Sequence, residues 1–441
     1  MDVNQYIFAN YPKTVTDPLG SQRTYNFGSI QNARQVLTGI AQPAGAGSAA
    51  VTSNYAYDTQ GNLTSRDDHN GKRTCYANDL SRNLQTVRVE GYAGTQSCPP
   101  NLETAAMPAA APPSCPSGSA YYSSGYGSSC TGGTCWSQTP FDGSQSGAPL
   151  GWATWHYACP VLHTGSPGRK TSTQWHPDWR LETRVAEPGR ITTIVYNGQP
   201  DPFNANTTAS CAPASAQLPD GKPIAVVCKR VEQATTDANG SQGFAAALQA
   251  GVANRVHSWT YNQHGQVLTE RDPLNRQTSY AYYSDTAFSG ADPHAVGHTL
   301  GDLHTITNAK GQVTRYTQYD KHGNVLQSID ANGVVTQNVY DLRQRLLSTT
   351  TAGQTTSYQY DAAGQLKRVT LPDQSWVGYD YDGAHRQTAV YDHRGNRTDY
   401  TLDNAGNRIG EQTRDPSGSL KRQLARSIDA LGRVQQTTGR E

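Results

Sequence analysis

Bulky apolar residues are scarce in this chain of 441 residues, which has 2 methionines, 6 phenylalanines and a hydrophobic fraction of 35%. It has no uninterrupted apolar run of the roughly 18 residues that a membrane-spanning helix needs. The first residues show neither the basic nor the apolar segment of a cleavable signal peptide. We therefore expect no transmembrane segment and no signal peptide in this sequence.

Charge and helical periodicity are also sparse. Charged residues make up 16% of the chain and the formal net charge is +1, a balance that does not favour a nucleic acid as partner. Amphipathic patterns of helical length are nearly absent. Only residues 244–250 can be considered as a helix, and they are short enough to form a loop instead.

What the chain does contain is a Tyr-Asp-x-x-Gly phrase that returns at a nearly constant interval. The residues before the in-frame aspartates are separated by 21, 20, 21 and 21 positions: Tyr319, Tyr340, Tyr360, Tyr381 and Leu402. Weaker aspartate markers fall about halfway between them. A short fixed period predicts a stack of one structural unit, here two strands and two turns.

The chemistry of a turn explains the phrase. An aspartate at the first position of a four-residue turn accepts hydrogen bonds from backbone N–H groups, and a glycine at the last position tolerates positive φ. Between the turns, polar and apolar residues alternate as in half-buried antiparallel strands. We assign these structural roles to Tyr57, Asp58, Gly61, Tyr319, Asp320, Gly323, Tyr360, Asp361, Gly364, Tyr391, Asp392, Gly395, Asp403 and Gly406.

Two stretches interrupt the repeat. Residues 91–170 are rich in serine, glycine and proline and hold five of the eight cysteines, and a smaller insertion runs from about 197 to 251. We expect N-terminal hairpins over 1–90, then the first insertion, divergent hairpins with the second insertion over 171–254, and a regular array over 255–441. The predicted fold is all-β, built of repeated antiparallel hairpins in a curved, spiralling sheet.

The cysteines allow disulfides if the chain works outside the cytoplasm. Cys98 then pairs with Cys75 or with Cys115, and Cys211 pairs with Cys228. The sequence does not decide the connectivity.

Residues that could carry chemistry have simpler explanations. His156, Cys159 and His163 lie near Cys130 and Cys135, but they lack the paired short spacings of a structural zinc site. The turns account for the aspartates, so a pair of carboxylates for glycoside hydrolysis is not required. No 12-residue calcium loop is present. We expect no catalytic residue, no cofactor, no metal and no enzymatic activity.

Tryptophan supplies the main alternative. Five of the seven tryptophans fall between positions 136 and 179. Trp175 and Trp179 could present two rings to a glycan, which would make the chain a cell-surface or secreted carbohydrate-binding or adhesion module. The competing interpretation is that these rings are buried where the insertion joins the sheet.

The Tyr-Asp-x-x-Gly-x-Leu phrasing, the spacing near 21 residues and the interleaved Asp-x-x-Gly turns resemble the YD repeats of bacterial Rhs proteins and of the related teneurin shell. The resemblance is closest over 255–441, weaker over 17–90 and 175–196, and absent from the insertions. It implies a hairpin sheet that spirals into a hollow shell, here apparently as a partial array.

In bacterial members of that family the shell encapsulates a toxin domain that is delivered to neighbouring cells. The resemblance therefore implies a non-catalytic shell or scaffold segment for contact-dependent competition between bacteria. Its expected partner is a toxin or effector domain, or the continuation of a longer chain. The expected location is secreted, on the cell surface or with an effector.

Overall fold

The computed structural model describes residues 12–30, 34–45, 49–68, 70–108, 129–131, 134–139, 153–158, 168–292 and 295–440. Side chains are described outside the segment 129–158.

The first half of the chain contributes these strands: β1 (Lys13–Thr16), β2 (Gln22–Ser29), β3 (Gln35–Gln42), β4 (Val51–Tyr57), β5 (Leu63–Asp67), β6 (Lys72–Asp79), β7 (Leu84–Ala93), β8 (Ser129–Thr131), β9 (Thr134–Thr139), β10 (Ala153–Ala158), β11 (Arg169–Trp175), β12 (Glu182–Glu187), β13 (Arg190–Tyr196), β14 (Pro200–Asp201), β15 (Thr207–Thr208) and β16 (Val227–Ala234).

The second half contributes these strands: β17 (Arg255–Tyr261), β18 (Val267–Arg271), β19 (Gln277–Tyr282), β20 (Ala287–Phe288), β21 (Gly297–His298), β22 (Leu303–Thr307), β23 (Val313–Tyr319), β24 (Val325–Ile329), β25 (Val335–Tyr340), β26 (Leu346–Thr351), β27 (Gln354–Tyr360), β28 (Leu366–Thr370), β29 (Trp376–Tyr381), β30 (Gln387–Asp392), β31 (Arg397–Leu402), β32 (Arg408–Arg414), β33 (Leu420–Ile428) and β34 (Val434–Arg440).

The strands build one antiparallel sheet of 29 strands, accompanied by a three-stranded sheet (β8–β10) and the β14–β15 pair. Along the main ladder each strand pairs with the next one in the chain except at three places, and the short β20–β21 hairpin attaches to β23 beside this ladder. The ladder passes directly from β7 to β11, from β13 to β16 and from β19 to β22. Of the strands in 197–251, only β16 joins the large sheet, where it pairs with β13 and β17.

Successive turns of such a meander fall on opposite rims of the sheet. The turns that follow the full-period markers all lie on one rim, which we call the marker rim: 58–61, 320–323, 341–344, 361–364, 382–385, 403–406 and 429–432. The halfway turns lie on the other, which we call the midway rim: 17–20, 68–71, 272–275, 308–311, 330–333, 392–395 and 415–418.

Little of this sheet is covered. In the regular array most strand residues are half-buried on both faces. The main packed core lies where the loop 94–108 covers the sheet: Cys75, Val87, Val89, Tyr92 and Leu102.

Residues 244–250 are not a helix. A single 3-10 turn spans Gly243–Ala245, and an isolated bridge between Thr235 and Leu248 extends the backbone that follows. Phe244 packs beside a small core of Ala186, Ile191 and Ala246. Packing against this core, which the sequence pattern does not display, therefore determines the conformation of the segment.

The predicted disulfides are present. Cys211 bonds to Cys228, and Cys98 bonds to Cys75, which decides between the two partners considered for it. Cys115 lies outside the described residues. The Cys75–Cys98 bond fixes the loop 94–108 to β6 and places Cys98 against the main core.

Candidate functional site

The aspartate of each marker-rim turn uses both carboxylate oxygens. At the first of the regular repeats, Oδ1 of Asp320 accepts the N–H groups of His322 and Asn324, both at 2.9 Å, and Oδ2 accepts Nδ2 of Asn324 at 2.8 Å. Gly323 closes this turn with φ of 83°. Double contacts to the fourth residue after the aspartate recur at Asp58, Asp341, Asp361, Asp382, Asp392, Asp403 and Asp429.

That fourth residue was not predicted from the sequence. In the turns with the double contact it is a side chain with an N–H donor: Asn62, Arg276, Asn324, Arg345, Gln365, Arg386, Asn396, Asn407 and Arg433. The signal was available as a run of amide or guanidinium residues directly after the glycine position. The turn motif is therefore six residues long when the preceding tyrosine is included.

These contacts lower the pKa of the turn carboxyls. Backbone hydrogen bonds lower the pKa of Asp341 and Asp361, and the Asn396 side chain lowers that of Asp392. A carboxyl whose pKa is lower in the folded than in the unfolded state stabilises the fold. This stabilisation is complete at a pH above the unfolded-state pKa and is lost as the pH falls through the folded-state pKa.

We expect the contribution of the turn aspartates to thermal stability to be constant above about pH 5 and to fall steadily below roughly pH 4, the ordinary range of aspartate. Melting curves at a series of pH values measure this. Asp361→Asn keeps one acceptor oxygen and removes one titrating group, so the variant loses less stability on acidification than the parent chain. Equal melting temperatures at pH 5 and pH 2.5 would contradict the assigned role.

The marker tyrosines tie each repeat to the one before it. The hydroxyl of Tyr381 donates to the carbonyl of Leu366 at 2.8 Å, and that of Tyr360 donates to Leu346 at 2.9 Å. Leu366 is in turn the strand partner of Tyr360, at a β-bulge where the ladder shifts register. In these two repeats a tyrosine hydroxyl thus reaches a carbonyl beside the irregular pair of the preceding repeat.

Further members of the array follow the same geometry. The Tyr282 hydroxyl donates to the carbonyl of Val267 at 2.9 Å, and the Tyr261 hydroxyl donates to that of Val227 at 2.8 Å. The Tyr319 hydroxyl donates to the carbonyl of Leu303. Burial raises the pKa of Tyr57. Tyr391 differs because it ends a strand on the midway rim, where its ring meets the edge of Trp376 and lies under Arg397.

Tyr360→Phe is expected to lower the free energy of unfolding by about 1 kcal/mol, the usual net value of one hydrogen bond. Tyr358→Phe is the matched control, because its hydroxyl has no hydrogen-bond partner among the described residues. Urea unfolding of both variants measures the difference. Equal losses in the two variants would show that the ring, and not the hydroxyl, carries the effect.

The two ends of the sheet touch. Gly45, in the turn between β3 and β4, packs on the last marker turn: a side-chain carbon added at Gly45 would lie 2.8 Å from Asp429 Oδ2 and 2.9 Å from Leu431 Cδ1. The Asp429 side chain is 5% exposed, compared with 20% for Asp341 and 24% for Asp382 in turns of the same design. Gly45 lies against this carboxylate.

This contact determines the shape of the sheet. Roughly twenty strands separate the two touching turns, so the path along the ladder is on the order of 100 Å. A sheet of that length whose ends meet has turned back on itself once. The turn at Gly45 lies on the midway rim and the turn at 429–432 on the marker rim, so the sheet winds as a spiral with its opposite rims in contact.

Hydrogen bonds between neighbouring turns reinforce the marker rim. Arg386 Nη1 donates to the carbonyl of Asp403 at 2.9 Å, and Gln266 Nε2 donates to that of Gly301 at 2.7 Å. On the same rim, Arg82 donates to the carbonyls of His176 and Trp179. These bonds restrain the spacing of the turns and hence the curvature.

Trp175 and Trp179, considered above as glycan contacts, lie at the end of β11 and in the turn after it. The Trp175 indole N–H donates to the carbonyl of Gln85 at 2.9 Å, and Lys222 lies 5.8 Å from the centre of the Trp179 ring. Both rings are half-buried. The Gln85 carbonyl thus occupies the indole N–H of Trp175, and the Lys222 ammonium group lies beside the ring of Trp179.

Among the described residues no group of three His, Cys, Asp or Glu side chains could hold a metal ion. The His156, Cys159 and His163 side chains, with those of Cys130 and Cys135, lie outside the described part. No described helix has the length and apolar character needed to span a membrane.

A family model described as RHS Repeat matches residues 298–335, 340–375 and 381–420. No curated protein matches the chain. A solved TcdB2-TccC3-Cdc42 complex has a TM-score of 0.43 at 12% identity, over 94% of this chain and 22% of that one. A solved Photorhabdus luminescens Tc holotoxin pore has a TM-score of 0.45 at 13% sequence identity, over 95% of this chain and 20% of that one. The chain spans about a fifth of the length of these structures.

Proposed function

This chain carries Rhs repeats, and we propose that it is a non-catalytic shell segment whose spiral sheet surrounds a guest polypeptide. The contact between Gly45 and the turn 429–432 is the observation that carries the proposal. A sheet that meets its own far end encloses a space, whereas a flat or open sheet does not. The guest that the resemblance implies is a toxin or effector domain used in competition between bacteria.

The architecture supports a scaffold more than a catalyst. In the regular array the tyrosines, aspartates and glycines of the repeat are engaged in turns and in ties between repeats. The two disulfides favour an oxidising surrounding, which supports a secreted or cell-surface location.

A protease-protection assay tests the enclosure. An unfolded peptide with one protease site is fused to the C-terminus of the full chain, and its cleavage rate is compared with that of the same peptide on a compact carrier protein. Enclosure predicts cleavage slowed at least about tenfold, because the site is cut only in open molecules.

Gly45→Arg is expected to restore cleavage in this assay, because its side chain must displace those of Arg433, Asp429 and Leu431 and brings a second cation beside Arg433. Gly383→Arg is the matched control: Gly383 has open space around it and an ordinary φ, so this variant keeps the protection. Equal cleavage rates in the parent chain, both variants and the carrier would contradict the proposal.

Carbohydrate binding is the weaker candidate, because Trp175 and Trp179 contact the protein itself. A glycan array with the parent chain and with Trp175→Ala and Trp179→Ala tests it. Binding that both substitutions remove would favour this function, and binding that is absent or unchanged in the variants would exclude these two rings.

A further inference from the structure

The turn between β11 and β12 is built around a buried histidine. His176 is 2% exposed, and its backbone N–H donates to the carbonyl of Leu181 at 2.7 Å. Its ring Nδ1 accepts the backbone N–H of Asp178 at 3.1 Å. A ring nitrogen that accepts a hydrogen bond carries no proton, so the ring is neutral with its proton on Nε2.

Three separate parts of the chain meet on this turn. Arg82, from the turn between β6 and β7, donates to the carbonyls of His176 and Trp179 at 2.5 and 3.1 Å. Lys222, from the loop between β13 and β16, forms an ion pair with Asp178 at 2.5 Å. On β13, Tyr196 presents its ring to that of His176, with 5.6 Å between the centroids.

A second proton on the ring would break this arrangement at two points. It would occupy Nδ1 and remove the acceptor of the Asp178 N–H, leaving a donor facing a donor. It would also place a buried positive charge near two cations, Arg82 and Lys222. Asp178 is the acidic group facing the ring, and Lys222 already pairs with it.

We propose that the turn 176–181 is an acid-sensitive switch: it stays closed while the His176 ring is neutral and opens when the ring gains a proton, which releases Arg82 and Lys222 and uncovers Trp179. The proposal does not depend on what the sheet encloses. It concerns a point on the marker rim, at the end of β11 opposite the long insertion, where a local opening disconnects three turns.

The electrostatics agree with this geometry. Burial lowers the pKa of His176, the charge of Asp178 raises it, and those of Arg82 and Lys222 lower it further, with a net decrease. Because the folded-state pKa lies below the ordinary value of about 6.5, the stability from the neutral ring is present above that pH and is lost as the pH falls below it. Tyr196, whose pKa burial raises, stays uncharged in this range.

Hydrogen exchange of the full chain at pH 7.5 and pH 5.5, corrected for the intrinsic exchange rate, tests the switch. The opening equilibrium of residues 176–181 should increase over this interval by up to about tenfold, the limit for one histidine that stays neutral when the turn is closed. Segments of the regular array, such as 346–370, should change little.

His176→Asn separates the proton from the packing, since its amide oxygen replaces the acceptor Nδ1 but does not titrate. This variant should show no pH-dependent opening, while His322→Asn, at an exposed turn, should retain the full increase. A flat profile in the parent chain overturns the proposal, as does an undiminished increase in His176→Asn. If His176→Asn is open at both pH values, the parent profile alone decides.

Discussion

Gly240→Ala is expected to lower the free energy of unfolding by about 3 kcal/mol or more. Gly240 has φ of 81°, which is unfavourable for alanine, and an added side-chain carbon would lie 2.0 Å from the backbone oxygen of Lys170. The backbone N–H of Lys170 donates to Asn239 at 2.8 Å, so the clash cannot be relieved without separating the loop from β11. Urea unfolding monitored by circular dichroism measures the loss.

Gly251→Ala is the matched control for this prediction. Gly251 has a similar φ of 75°, but no atom lies within 4 Å of the added carbon. It should therefore lose only the conformational cost of the left-handed region, about 1–2 kcal/mol. If the two substitutions cost the same, the close approach of Gly240 to β11 does not contribute to stability.

Removing the Cys75–Cys98 bond by a double substitution to alanine is expected to cost about 3 kcal/mol, as for a loop of this size. The bond joins residues 23 positions apart, and Cys75 is fully buried beside Val87 and Val89. Release of Cys98 also loosens Leu102, which covers the same core. Thermal melting and hydrogen exchange over 94–108 together measure the effect.

The Cys211–Cys228 bond offers a control within the same chain. Its removal should increase exchange in the loop 211–228 and leave 94–108 protected. Unchanged exchange over 94–108 in the Cys75→Ala, Cys98→Ala variant would mean that packing alone holds that loop, and the bond would then be dispensable for the core.

The sequence predicted the regular half of the fold well because its signals are local. An aspartate and a glycine three residues later define a turn without reference to the rest of the chain, and alternation defines the strands between turns. The all-β fold and its long sheet are confirmed. The donor at Asn324 and its equivalents was also local, but it varied between asparagine, glutamine and arginine and so was not recognised.

Other features depend on register, which the sequence pattern does not show. The tie from Tyr381 to Leu366 exists because a β-bulge moves the ladder at Tyr360. The choice of Cys75 over Cys115 for Cys98 depends on which strand the loop crosses. The contact of Gly45 with Leu431 joins residues at opposite ends of the sheet and follows only from its accumulated curvature.

The central claim is that the sheet closes on itself between the β3–β4 turn and the last marker turn. Pulsed electron resonance between spin labels, introduced as unnatural amino acids at Ala44 and Ala430 of the full chain, measures this distance directly. Closure predicts a single short distance that is set by the lengths of the label linkers. Gly45→Arg should lengthen this distance and broaden its distribution. The intervening strands span a path on the order of 100 Å. A long distance in the parent chain, close to that path length, would contradict closure.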